Sequence, residues 1–210
     1  MSALKTALLL AGPSGGGKTT VMNELLKSDI GFELVRSATT RARRGDGNDG
    51  EYIYLSKEEF VSLSERGGML EFTEYGGNLY GTPYSEIERI SKAGKTPILI
   101  LDLNGVRALR KAALDFGVYA VYIYAEPKVL SERLAARYSG EGGENSERYI
   151  TRMESNRRDY ASAYEWYNLF DISFPSGSLY ELRQSIISAF LAQKKEISPE
   201  PFLKMAREFD

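Results

Sequence analysis

Eight residues near the start of the chain, Gly12-Pro13-Ser14-Gly15-Gly16-Gly17-Lys18-Thr19, satisfy the pattern G-x-x-x-x-G-K-[ST] at every fixed position. The chemistry this spacing serves is the holding of a polyphosphate. Glycines let successive backbone N–H groups converge on an anion without Cβ obstruction. A helix opening near Lys18 adds the positive end of its dipole at the same point. Lys18 has the reach for β- and γ-phosphates, and the Thr19 hydroxyl can ligate Mg²⁺. The flanks agree: apolar Leu8-Leu9-Leu10-Ala11 precedes the glycines, and Thr20-Val21-Met22-Asn23-Glu24-Leu25-Leu26 follows. Strand, glycine-rich turn and helix in that order predict a nucleoside-triphosphate site spanning Gly12 to Thr20.

A second group of candidate residues is basic. Arg36, Arg41, Arg43 and Arg44 crowd into a polar, glycine-rich stretch from Arg36 to Glu51. A solvated loop or a nucleic-acid patch is the plain alternative. The phosphate loop upstream favours an anionic substrate.

What the 210-residue chain lacks narrows the chemistry further: it has neither cysteine nor histidine. Disulfides, Cys/His zinc sites, cysteine nucleophiles and a histidine general base are thereby excluded. The work must fall to Lys, Arg, Asp, Glu, Ser, Thr, Tyr and a metal. A formal net charge of −2 gives no electrostatic case for a nucleic-acid or anionic-membrane partner. Hydrophobic residues at 42% supply a core for one domain with room for an inserted unit. No stretch approaches the roughly 18 apolar residues of a membrane span. The run after Lys5 flows straight into the phosphate loop, so it reads as a first strand and not as a signal peptide. A soluble, cytoplasmic monomer or homodimer is expected.

The elements that must position these residues follow from pattern. The first helix should end near Ser28, and Phe32 to Val35 reads as a strand. Ser56-Lys57-Glu58-Glu59 is a capping box opening a helix with Phe60 and Leu63 on one face. Met69 to Tyr75 alternates at strand period, and Gly76-Gly77-Asn78 turns it into Leu79-Tyr80-Gly81. Thr82-Pro83 reads as a helix N-cap followed by a first helical proline. Pro97 to Leu101 is a continuous apolar run, the mark of a buried parallel strand, with Asp102 at its C-terminal end, where open α/β sheets bind ligands. Val118 to Tyr124 is a further strand. Pro127 opens a helix with Arg133 and Arg137, and a long helix from about Ser146 to Glu165 carries Arg148, Arg152, Arg157 and Arg158. Ser139 to Asn145 between them is too polar and glycine-rich for regular structure, so a mobile loop is expected. Leu169 to Phe174 is the last strand. Ser178-Leu179-Tyr180-Glu181 is a second capping box, with Leu182, Ile186, Ala189 and Phe190 on one helix face.

Alternating strands and helices predict an α/β fold of the P-loop NTPase type, a parallel sheet with helices on both faces. Residues 1–36 and 82–193 form the expected core, with a lid at about 134–152. Residues 37–81 form an inserted mixed α/β arm, and 194–210 a C-terminal tail or short added helix.

From residue 4 to about residue 190 the chain resembles the guanylate kinases. Ser37-Ala38-Thr39-Thr40-Arg41-Ala42-Arg43-Arg44 is similar to that family's Ser-Ser-Thr-Thr-Arg-x-x-Arg segment, and Gly50-Glu51-Tyr52 to its Gly-x-x-Tyr region. Leu70-Glu71-Phe72 resembles the segment around its guanine-reading glutamate. Gly77-Asn78-Leu79-Tyr80-Gly81-Thr82 resembles its Gly-x-x-Tyr-Gly-Thr turn, and Asp102-Leu103-Asn104-Gly105 its Asp-x-Gln-Gly segment. The resemblance implies transfer of the ATP γ-phosphoryl group to GMP, and to dGMP, with Mg²⁺. It implies that Arg41, Arg44, Tyr52 and Tyr80 hold the GMP phosphate and that Ser37, Glu71 and Asp102 read the base. Lys18, Arg41 and the lid-side Arg133, Arg137 and Arg152 would be the catalytic cations.

The base assignment has a chemical logic of its own. Guanine presents two adjacent donors, N1–H and the 2-amino group, beside the O6 acceptor. A carboxylate such as Glu71 accepts from both, and a hydroxyl such as Ser37 donates to O6. Taken singly, Tyr52 and Tyr80 are equally compatible with core packing, and Glu71 with a solvent-facing position. The alternatives are a non-catalytic guanylate-kinase-like module that binds a protein, and a kinase of sugar phosphates. The chain also departs from the family pattern. Ile100 stands where an acidic residue usually serves the magnesium site, Ala136 and Tyr138 flank Arg137 in place of glycines, and the last strand ends Ile172-Ser173-Phe174-Pro175.

Overall fold

The computed structural model describes residues 4–43, 50, 52–112 and 114–209; Arg44 lies outside them. Strand β1 (Leu4–Ala11) leads into the phosphate loop and helix α1 (Lys18–Leu26) leads out of it. Next come β2 (Phe32–Leu34), β3 (Ser37–Thr39), β4 (Tyr52–Tyr54), α2 (Lys57–Glu65), β5 (Met69–Tyr75) and β6 (Asn78–Pro83). The chain continues through α3 (Tyr84–Lys92), β7 (Thr96–Ile100), α4 (Leu103–Lys111), β8 (Phe116–Tyr124) and α5 (Pro127–Arg137). It ends with α6 (Glu147–Glu165), β9 (Ile172–Pro175), α7 (Leu179–Leu191) and α8 (Glu200–Arg207).

One sheet takes five strands in the order β2-β7-β1-β8-β9, with β2 parallel to β7 and β8 parallel to β9. Parallel neighbours need long crossovers, and the intervening helices supply them. Leu8, Leu9 and Leu10 are fully buried, as are Ala120 to Ile123. Consecutive buried residues mean that helices cover both faces, which is why these strands read as unbroken apolar runs. The second sheet has the order β4-β3-β6-β5 and mixes directions: β3 is parallel to β4, and β6 is antiparallel to both β3 and β5. By packing, the chain divides into two compact units. The first is Met1–Leu8, Leu26–Leu99 and Asn104–Val118; the second is Leu9–Leu25, Ile100–Leu103 and Tyr119–Asp210.

Within the first unit, Glu86 is only 3% exposed and is held by two arginines. Arg36 donates to it at 2.8 and 3.0 Å, and Arg89 at 2.9 and 3.1 Å. Burial alone would raise the Glu86 carboxyl; the two guanidinium groups outweigh it and hold it down at about 2. Arg36, counted above in the basic cluster, is therefore a structural cation.

Three local expectations need correction. Thr82 and Pro83 end β6, and α3 begins at Tyr84 with no side-chain cap. Strand pairing sets the backbone there, and the Thr82 hydroxyl is committed elsewhere, to Glu71. Ser139 to Asn145 is not irregular: it folds into two short 3₁₀ turns, Ser139–Glu141 and Gly143–Asn145, joined by Gly142 at φ 102°. Glycine permits that left-handed joint, so the composition makes the turns possible. Helix α1 stops at Leu26, two residues early. The capping box at Ser56 and Glu59 is present in both directions, at 3.1 and 2.7 Å.

Beyond α7 the chain folds back onto the second unit. The Tyr119 hydroxyl donates to the Lys194 carbonyl at 2.6 Å, and α8 buries Phe202 completely. The Phe202 ring stands nearly perpendicular to Tyr122, centroids 4.9 Å apart. Truncating Phe202→Ala should cost about 3–5 kcal/mol in urea denaturation; a loss under about 1 kcal/mol would show that this segment is not integral to the core.

Candidate active site

In the second unit, the phosphate loop is built by constraining its carbonyls. Gly12 sits at φ 143°, and a Cβ there would lie 2.1 Å from the Ile123 carbonyl oxygen. Only glycine lets the loop start that close to β8. Lys18 Nζ donates to the carbonyls of Gly12 at 2.7 Å and Pro13 at 2.8 Å. The Gly16 N–H donates to Pro13 O at 3.1 Å. Ser14 is held by Asn156, whose Oδ1 accepts from its N–H at 2.8 Å while Nδ2 donates to its carbonyl at 2.9 Å. Arg133 Nη1 donates to Gly15 O at 3.0 Å and to Ser176 Oγ at 2.8 Å. With those carbonyls engaged and α1 opening at Lys18, the first N–H groups of the helix are left to face an anion.

Gly15, Gly17, Thr20, Arg133 and Arg137 line a cleft of about 310 Å³, together with Ser176, Gly177, Leu179 and Leu182. The expected donor-side residues thus come together, and Ser176 and Gly177 join them.

The electrostatics match a site waiting for negative charge. Burial pulls the Lys18 ammonium down to about 8; Asp159 opposes the shift, and Arg137 and Arg152 push in the same direction as burial. Asp159 is raised to about 6, chiefly by burial, with Lys18 opposing and Asp102 adding to the rise. Asp102 thus lies within electrostatic reach of Asp159. Asn156 and Asp159 were missed by sequence reasoning, which followed only the arginines of α6. Their signal was the spacing: 152, 156 and 159 fall on one helix face.

Mg²⁺ can be tested against these residues. Among the described residues no group of three or more acidic, histidine or cysteine side chains could hold a metal by itself. Mg²⁺ is commonly bound by one or two protein groups plus substrate phosphates. The Thr19 hydroxyl, on the first turn of α1, fits that mode.

In the first unit, the second sheet gathers the acceptor-side candidates. Arg41 lies 5.3 Å from the Tyr52 ring centroid, and Tyr52 packs edge-on to Tyr80 at 6.5 Å. Arg41 Nη1 is buried without a hydrogen-bond partner among the described residues. Its Nη2 reaches the Tyr54 hydroxyl at 3.5 Å, and Arg43 lies over the Tyr54 ring. Glu71 on β5 faces Thr82 on β6, and the Thr82 hydroxyl donates to Glu71 Oε1 at 2.7 Å. Ser37 opens β3, opposite Tyr52 of β4. The tyrosines are thus a cluster around an arginine, and Glu71 is oriented by a specific donor.

The family model for guanylate kinase matches residues 4–191. The chain belongs to the guanylate kinase family. Guanylate kinase of Streptococcus thermophilus (strain CNRZ 1066) is 38% identical over 168 residues, covering 79% of this chain and 78% of that protein. Guanylate kinase of Thermobifida fusca is 33% identical over 189 residues, 90% of this chain and 92% of that one. The solved guanylate kinase from Anaplasma phagocytophilum shares the fold, with TM-score 0.64 at 22% identity over 92% of this chain and 88% of that one. Segment 192–210, with α8, lies beyond the guanylate kinase match.

The depressed Lys18 has a measurable consequence. Phosphate raises its pKa again, so nucleotide binding should take up a proton when the solution pH exceeds about 8 and the empty site is largely neutral. Calorimetric enthalpies of ADP binding should then depend on buffer ionisation above that pH and lose this component near pH 7, where Lys18 is already charged. Buffer-independent enthalpies at about pH 8.5 would contradict the shift.

Proposed function

We propose that this guanylate-kinase family member transfers the γ-phosphoryl group of ATP to GMP, and to dGMP, giving ADP and GDP or dGDP. The observation that carries the reading is Arg41: its buried Nη1 has no hydrogen-bond partner among the described residues, and the side chain lies beside Tyr52, which packs on Tyr80. A buried guanidinium nitrogen left open is costly unless a ligand oxygen satisfies it. An acceptor phosphate is the group we assign, with Arg44 as a second contact.

The acceptor phosphate is already ionised near neutral pH, so its oxygen attacks the γ-phosphorus without a general base. The bond from that phosphorus to the β–γ bridging oxygen breaks, and ADP leaves. Catalysis is then positioning and charge neutralisation, which a histidine-free chain can provide. Lys18 would leave the Gly12 and Pro13 carbonyls for the β- and γ-phosphates, with Arg133, Arg137 and Arg152 closing on the transferred group. Thr19 would hold Mg²⁺ arriving with ATP; when bound, that ion neutralises phosphate charge.

We assign Glu71 to guanine N1–H and the 2-amino group, and Ser37 to O6. The donation from the Thr82 hydroxyl to Oε1 orients the carboxylate for this role. Asp102 keeps its assignment to the base. A cytoplasmic location fits a cysteine-free chain. No observation favours the protein-binding module or the sugar-phosphate kinase.

A coupled ADP-release assay with ATP, Mg²⁺ and GMP, dGMP, AMP, UMP or ribose phosphates tests the reading. Turnover is expected with GMP and dGMP alone. Glu71→Ala should lower kcat/KM for GMP by about 10²–10⁴-fold, through loss of two charge-assisted hydrogen bonds. A folded protein that turns over no acceptor would overturn the reaction.

A further inference from the structure

Helix α6 carries, at successive i+4 positions, two side chains that grip backbone outside the helix. The fully buried Asn156 holds both polar groups of Ser14, and the buried Tyr160 hydroxyl does the same for Ala125, accepting from its N–H at 2.9 Å and donating to its carbonyl at 2.6 Å. Ser14 lies inside the phosphate loop; Ala125 immediately follows β8. These contacts fix the register of α6 against the loop, and Arg152 and Asp159 sit one turn to either side of Asn156.

We propose that Asn156 is a positioning residue for the donor nucleotide, holding the phosphate loop in its anion-binding conformation and locking it to the helix that carries Arg152 and Asp159. The reasoning turns on which bonds survive loading. Lys18 holds the Gly12 and Pro13 carbonyls, and Arg133 holds that of Gly15. Both are cations that the nucleotide phosphates recruit. The Asn156 bonds are neutral and need not be surrendered. Only a carboxamide, or a protonated carboxyl, can donate and accept in that paired geometry. An alanine leaves two Ser14 groups unsatisfied, and a carboxylate loses the donor and sets a negative charge beside the phosphates.

The proposal rests on the assigned function only for the identity of the donor, so its test is ADP binding to the full chain, with no phosphoryl transfer. Asn156→Ala should weaken ADP about ten- to a hundredfold and leave GMP affinity measured without ADP unchanged. Asn156→Asp should be equally weak at neutral pH and recover towards wild type as the pH falls and its carboxyl protonates. Lys18, Arg137, Arg152, Asp102 and Asp159 also act on this region, so the quantity read is the variant-to-wild-type affinity ratio at each pH. If Asn156→Ala fails to fold, the Asn156→Asp titration carries the test alone. Unchanged ADP affinity in Asn156→Ala, an equal loss of ADP and GMP, or an Asn156→Asp ratio flat with pH would each overturn the proposal. A wild-type chain that binds ADP but does not phosphorylate GMP would overturn the assigned reaction alone.

Discussion

Everything on the donor side depends on keeping a short stretch of backbone turned inside out. A peptide presents a donor and an acceptor in opposite directions, so a loop that aims N–H groups at one anion must find partners for its carbonyls elsewhere. Here the partners are Lys18 for Gly12 and Pro13, Asn156 for Ser14 and Arg133 for Gly15. The arrangement concentrates positive charge around the N–H groups of the loop. Its cost appears in Lys18, whose ammonium is disfavoured by burial and by Arg137 and Arg152. Asp159 offsets part of that cost and is itself driven towards the neutral form. A site of this kind gains its stability from its ligand.

The first unit shows how the same residue type can meet opposite surroundings within five positions. Arg36 and Arg41 belong to one basic run. Arg36 meets a buried carboxylate, so its charge is spent on packing α3 against the start of β3. Arg41 lies against the Tyr52 ring, which favours a cation without neutralising it, and its Nη1 has no hydrogen-bond partner among the described residues. The difference is the partner and not the residue. Glu71 accepts from the Thr82 hydroxyl on the neighbouring strand, and that contact orients its carboxylate.

The second unit is closed by a segment beyond the guanylate kinase match. Phe202 packs against Tyr122 and Phe170, and Phe209 lies 5.8 Å from Tyr160. Tyr160 is the residue that grips Ala125, so α8 backs the same stripe of α6 that faces the loop. Rigidity behind a binding helix is a recognised way of preorganising the groups in front of it.

Much of this was legible in the chain itself, because local pattern was enough. The phosphate loop declares itself by glycine spacing, the buried strands by unbroken apolar runs, and the helix starts at Ser56 and Ser178 by capping residues whose partners lie within one turn. The order and spacing of the segments around Ser37, Tyr52, Glu71 and Tyr80 made the family resemblance readable. What the sequence could not reveal were bonds between residues distant in sequence but joined by folding. Thr82 looks like a helix cap until β5 arrives beside it with Glu71. Asn156 looks like a surface residue of an arginine-rich helix until it meets Ser14, 142 positions away. Arg36 and Arg41 are indistinguishable until Glu86 takes one of them. Local propensity depends on neighbours a few residues off, so sequence determined the elements and the kind of chemistry; pairing across the fold decided which polar groups are satisfied and which remain open for a ligand.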